Sequence, residues 1–155
     1  MTRSKPPASP SDPPPSDPTP TPMQLMDQLA QAAALYYRNF AAVAAERDLT
    51  LMQGKMLGLL RRPMPMRSLA DLLACDASNV TGIVDRLAAR GLVRREADPS
   101  DRRVKRVILT EEGEETVRQI RSELMSNLTG LEGLGEEDRR SFQRLLGQVL
   151  PAVSV

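Results

Sequence analysis

Eleven lysines and arginines fall between Arg61 and Arg106 against six acidic side chains, giving this stretch a local charge of +5. From Val107 to the end five arginines oppose nine acids, and the first sixty residues balance at five each. The net charge of +1 therefore hides a basic segment on an otherwise acidic body, which suits a polyanion partner. Two groups stand out within it. Ser78, Asn79, Thr81 and Arg86 lie on or at the margin of the face opposite Val80, Ile83, Val84 and Leu87, whose spacing is helical. Arg94, Arg95, Asp101, Arg102, Arg103 and Lys105 follow in a hairpin pattern. Short polar side chains near a helix N-terminus can reach base edges or phosphates, and arginines on a hairpin can enter a narrow minor groove.

Other chemistry is poorly provided for. Histidine is absent and Cys75 is the only cysteine, so neither an intramolecular disulfide, a Cys/His zinc cluster nor a histidine base is available. The carboxylates sit among arginines on predicted helix surfaces rather than paired in an apolar pocket. No enzyme activity, metal or cofactor is expected. The apolar runs are too short to span a bilayer, and no cationic segment followed by an apolar stretch opens the chain. A soluble, cytoplasmic protein is expected.

The elements that must position these residues are legible as periods and caps. Residues 1–22 hold nine of the thirteen prolines and read as a disordered Pro-rich tail, with a PxxP ligand as the sharper alternative. From Met23, Leu25, Leu29, Ala32, Tyr36, Phe40 and Val43 mark a first helix to about Arg47. Thr50 and Gln53 form a capping box for a second, which Pro63 and Pro65 end. Ser68 reads as the N-cap of a short third helix and Asp76 as that of a fourth, with Gly91 stopping it. Leu92 to Glu96 and Arg103 to Leu109 read as the arms of a β-hairpin. Thr110 caps a long fifth helix with an apolar stripe of Val117, Ile120, Leu124, Leu128 and Leu131. A last helix carries Phe142, Leu145, Leu146, Val149 and Leu150.

A short helix, a tight turn, a second helix and a basic hairpin are the order of a winged helix-turn-helix. The chain resembles the MarR (multiple antibiotic resistance) family of regulators. The match runs through Leu49, Thr50 and Gln53; Leu69 and Ala70; Val80, Thr81, Val84, Asp85, Arg86 and Leu87; Gly91, Leu92 and Val93; Asp98, Asp101, Arg102 and Arg103; and Leu109, Thr110 and Gly113. The resemblance implies a mainly α fold with a small β-hairpin wing. Residues 23–155 would form one domain, with 50–110 as the DNA-binding region and 23–47 and 111–155 as dimerisation helices. It further implies a homodimer on a pseudo-palindromic operator, acting as a repressor. Arg103 would be the minor-groove arginine, oriented by Asp101; the plainer reading is that Asp101 tightens the turn. Gly54 and Gly82 depart from the family pattern, the first expected to open space near the second helix, the second to remove a contact to DNA.

Relatives of this kind respond to small aromatic acids, phenols or lipophilic compounds, which makes Tyr36, Tyr37, Met52 and Met56 a candidate effector site; their spacing fits core packing equally well. Cys75, just before the fourth helix, reads either as a packed thiol or as a redox sensor. The rival to a DNA-binding regulator is a winged-helix module that docks protein without nucleic acid.

Overall fold

The computed structural model describes residues 18–127 and 129–150, with Thr129 described for its backbone alone. The expected tail over residues 1–17 and the stripe residue Leu128 lie outside the described residues. Chain contacts divide the described residues into two units, one ending at Ala34 and one beginning at Leu35. The first helix, α1 (Pro22–Ala45), belongs to both. It begins with a capping box: the Thr21 hydroxyl accepts from the Gln24 N–H, and the Gln24 side-chain Oε1 accepts from the Thr21 N–H. Pro22 at the first helical position loses nothing by having no N–H.

In the second unit the order is α2 (Leu51–Leu59), β1 (Met64–Pro65), α3 (Met66–Leu73), α4 (Ala77–Ala89), β2 (Val93–Ala97), β3 (Lys105–Leu109), α5 (Glu111–Asn127), α6 (Thr129–Glu132) and α7 (Glu136–Val149). The strands form an antiparallel sheet in the order β1-β3-β2. The fold is thus mainly helical with a three-stranded wing, flanked by N- and C-terminal helices. No helix among the described residues is long and apolar enough to cross a membrane.

Two expectations need correcting. Pro63 and Pro65 are expected only to end the second helix, yet Met64 and Pro65 pair with Val107 and Arg106 as a third strand. Pro65 can occupy such an edge because an edge strand has N–H positions that need no ladder partner. The chain then passes directly into α3, whose N-cap is Pro65 rather than Ser68. The Thr50 and Asp76 caps form as read: Thr50 and Gln53 complete a reciprocal box, and Asp76 accepts from the Asn79 N–H.

One core joins these elements. Phe40, Val43 and Ala44 of α1 meet Met56 and Leu57 of α2, Leu69 and Leu73 of α3, the α4 face Val80, Ile83, Val84 and Leu87, Val93 and Val107 of the sheet, and Val117, Ile120 and Leu124 of α5. Gly54 does not open space there. A Cβ at that position would lie 2.7 Å from the Phe40 ring, so the aromatic already fills the room that glycine leaves. Gly113 is more constrained still: a Cβ would run into the Leu92 carbonyl oxygen. Thr110 completes this junction by donating its N–H to Leu92 O at 3.1 Å and its hydroxyl to Gly91 O, while its oxygen accepts from the Gly113 N–H. The L-T-x-x-G pattern is therefore where α5 starts directly against the end of α4.

Candidate nucleic-acid interface

The outer face of α4 is open. Ser78, Asn79, Thr81, Asp85 and Arg86 are exposed, and a Cβ on Gly82 would meet nothing within 4 Å. The hydroxyls are not idle. Ser78 donates to Asp76 at 2.6 Å, and Thr81 donates to the Ala77 carbonyl at 2.8 Å. Both oxygens keep lone pairs, so in this arrangement they can accept from base amino groups; donating to a phosphate would require them to exchange a partner. Asn79 uses its backbone N–H on Asp76, leaving the amide side chain free to offer a donor and an acceptor together. The two bonds from Ser78 and Asn79, the hydroxyl first, hold the Asp76 carboxyl below the usual carboxylate range.

The wing sorts its cations by strand alternation. Arg95 shares the face of Val93 and Val107 and reaches back to α4, where it pairs with Asp85 at 2.6 Å. Arg94 stands on the opposite face and pairs with Glu96 at 2.7 Å, and Arg106 on that same face lies 3.4 Å from Asp98. Arg102, Arg103 and Lys105 have no ion pair among the described residues and are exposed. The free charge of the hairpin is therefore concentrated near its tip.

The tip is braced through the backbone. Asp98 accepts from the Ser100 N–H and hydroxyl, which together with nearby Arg106 hold its carboxyl below the usual range. Asp101 accepts from the Arg103 backbone N–H at 3.0 Å, so in the free chain it tightens the turn rather than gripping the Arg103 guanidinium.

The other candidates differ in burial. Met56 has no exposed surface and belongs to the core, Met52 is half-buried against it, and Tyr36 and Tyr37 are exposed. The two tyrosine rings meet edge-on at 5.3 Å, and Lys55 sits 4.8 Å over Tyr37. With 38% of its surface exposed Tyr36 is still partly desolvated, and that partial burial, then the neighbouring Tyr37, raises its phenol, with Arg121 pulling the other way. The four residues are thus split between core and surface. Cys75 is half-buried in the α3–α4 turn, packed against the core.

A different recess lies where α2, β3 and α5 meet. It is a cleft of about 370 Å³ with Leu57, Leu60, Leu109 and Val117 as its apolar part, and Arg61, Arg118, Arg121 and Glu114 as its charged part. Sequence reading missed it because its residues come from three separate elements. The only signal was the return of Arg118 and Arg121 near the apolar stripe of α5.

Comparison with known proteins gives consistent results. A family model described as the MarR family matches residues 49–105, from the residue before the Thr50 cap to the first residue of β3. The repressor NicR of Pseudomonas putida, an HTH-type transcriptional repressor, is 35% identical over 99 residues. That alignment covers 60% of this chain and 63% of NicR, so the chain spans just under two thirds of that relative's length. A probable transcriptional regulator from Pseudomonas aeruginosa is 30% identical, with 81% of this chain and 98% of that one covered at a TM-score of 0.54. CouR from Rhodococcus jostii, solved with p-coumaroyl-CoA bound, is 24% identical with 84% and 94% covered and a TM-score of 0.68.

Proposed function

The chain belongs to the MarR family, and from that premise we propose that two copies form a sequence-specific DNA-binding transcription repressor released by a small organic effector. The observation that carries this reading is the pairing on one reader of an unobstructed α4 face with a wing whose uncommitted cations gather near its tip. Ser78, Asn79, Thr81 and Arg86 then serve the major groove, and Arg102 and Arg103 the minor groove. Arg95 acts by holding the wing to α4 through Asp85, and Arg94 and Lys105 add positive potential.

The second copy follows from what one chain leaves bare. α7 buries none of its residues: Phe142, Leu145 and Val149 are 47%, 50% and 63% exposed. An amphipathic helix with its apolar face in water calls for a partner, and two-fold pairing would place two readers about 34 Å apart on successive major grooves. The name of NicR supports repression. The cleft between α2, β3 and α5 supports an effector: apolar walls beside Arg61 and Arg121, with Arg118 already paired to Glu115, suit an anionic aromatic or acyl compound, and CouR was solved with p-coumaroyl-CoA bound.

Selection of bound sites from random duplexes, followed by binding across a salt series, tests the reading. A palindromic site and an affinity that falls steeply with salt are expected. Failure to retain any duplex at low salt would instead favour the winged-helix module that docks protein.

A further inference from the structure

We propose that Arg90 is a positioning residue that pins the end of α4 to the end of α1 and thereby sets how the two readers of a dimer are spaced. The inference rests on the dimeric DNA-binding reading above. Both helices end in the same way. At α1, Asp48 takes the left-handed conformation at φ 53°, its N–H reaches Ala45 O, and the Leu49 N–H reaches Ala44 O. At α4, Gly91 takes it at φ 72°, its N–H reaches Ala88 O, and the Leu92 N–H reaches Leu87 O. These are paired Schellman turns, and each tucks a leucine into the core: Leu49 and Leu92 are both buried.

Such turns leave carbonyls beyond the helix end unsatisfied, at the negative end of the helix dipole. At α1 those carbonyls are Arg47 O and Asp48 O. Arg90 donates one guanidinium nitrogen to each, at 2.8 Å and 2.7 Å. The planar fork of arginine can hold two carbonyls at once, where a lysine ammonium is a single point charge. The α1 end is in turn fixed to α5, because Arg47 donates to Val43 O at 2.9 Å and to Glu123 at 2.8 Å. A continuous series of polar contacts therefore leads from Glu123 of α5, through Arg47 and the α1 turn, to Arg90 at the foot of α4.

The position of this fastening gives it leverage. Ser78 lies twelve residues up the helix from Arg90, about 18 Å at the α-helical rise, so a tilt of roughly 10° about the Arg90 end displaces Ser78 by about 3 Å. A shift of that size is the length of a hydrogen bond, and it applies at both readers of a dimer. The core face of α4 fixes its depth, while Arg90 constrains its direction relative to the helices that would join two copies.

The test is made on the full chain, with nitroxides attached through Thr81→Cys in a Cys75→Ser background, and the inter-subunit distance read without DNA. The parent protein should give one narrow distance. Arg90→Ala should broaden or shift it and, in the unlabelled chain with Thr81 intact, weaken binding to a selected palindromic duplex by about tenfold while leaving binding to a random duplex within about twofold. Arg90→Lys keeps the charge and the stem but not the fork, and should move both readouts in the same direction by less; it decides the matter alone if Arg90→Ala fails to fold. An unchanged distance and unchanged selectivity in a folded variant would overturn the role of Arg90. A parent protein with no inter-subunit distance would overturn the dimeric reading instead, and the inference with it.

Discussion

α4 and α7 are amphipathic helices of similar length that meet opposite fates within one chain. The apolar face of α4 is sealed: Val80, Ile83, Val84 and Leu87 all lie in the core. α7 has a comparable stripe in Phe142, Leu145 and Val149, yet none of its residues is buried. The difference separates two tasks. α4 can turn its polar face outward because the chain itself completes the other face, whereas nothing among the described residues completes the apolar face of α7.

The largest way to break this contrast is to open the sealed side. Leu87→Ala should cost about 2–5 kcal/mol of folding stability, measured by urea unfolding, because it leaves a cavity beneath α4. Leu145→Ala at a protein concentration low enough to keep chains apart should cost far less, and an equal loss would mean that α7 is buried within the single chain.

Gly113→Ala attacks the junction that holds α4 against α5. Its Cβ would press on the Leu92 carbonyl, which is backbone and cannot swing aside, so a loss of about 1–3 kcal/mol in the same assay is expected. Gly82→Ala on the open face of α4 faces nothing and should leave stability unchanged or slightly raised.

Removing the free cations sharpens the functional side of the contrast without touching the core. Arg102→Ala combined with Arg103→Ala should reduce the salt dependence of DNA binding by a slope of roughly 2, with the unfolding midpoint unchanged. An unaltered slope would remove the wing tip from the interface.

The smallest effect concerns the cap that starts α4. Because the Ser78 hydroxyl and then the Asn79 N–H depress the Asp76 carboxyl, the folded chain holds that proton less readily than the unfolded chain does. Its stabilising contribution is present above the ordinary carboxylate range and is lost as pH falls through the depressed value. Asp76→Ala should lower Tm by a few degrees at neutral pH, and the gap to the parent should close in acid.

Local signals were legible in the sequence, and pairings at a distance were not. The Thr50 box, the Asp76 cap and the left-handed Gly91 depend on neighbours within a few residues, and each formed where the pattern placed it. β1 escaped because two residues have no period to read. Ser68 reads as a cap because a Ser before apolar residues is the usual signal; the adjoining strand moves the start of the helix to Met66. The Arg95 partner, Asp85, the Phe40 ring over Gly54, and the Arg47 and Asp48 carbonyls held by Arg90 all come from other elements, and side-chain type alone does not choose among them. The outward positions of α4 were legible because once the inward stripe is fixed, helical geometry leaves them no freedom.

On the reading proposed above, one chain carries a finished reader and an unfinished association face. The most direct test is to count chains on a duplex bearing one selected palindromic site, by mass, for the parent and for Leu145→Asp. Two chains per duplex are expected for the parent, and for Leu145→Asp a folded monomer that no longer binds the site with parental affinity. A single parental chain per duplex, or a Leu145→Asp monomer that binds as tightly as the parent, would contradict it.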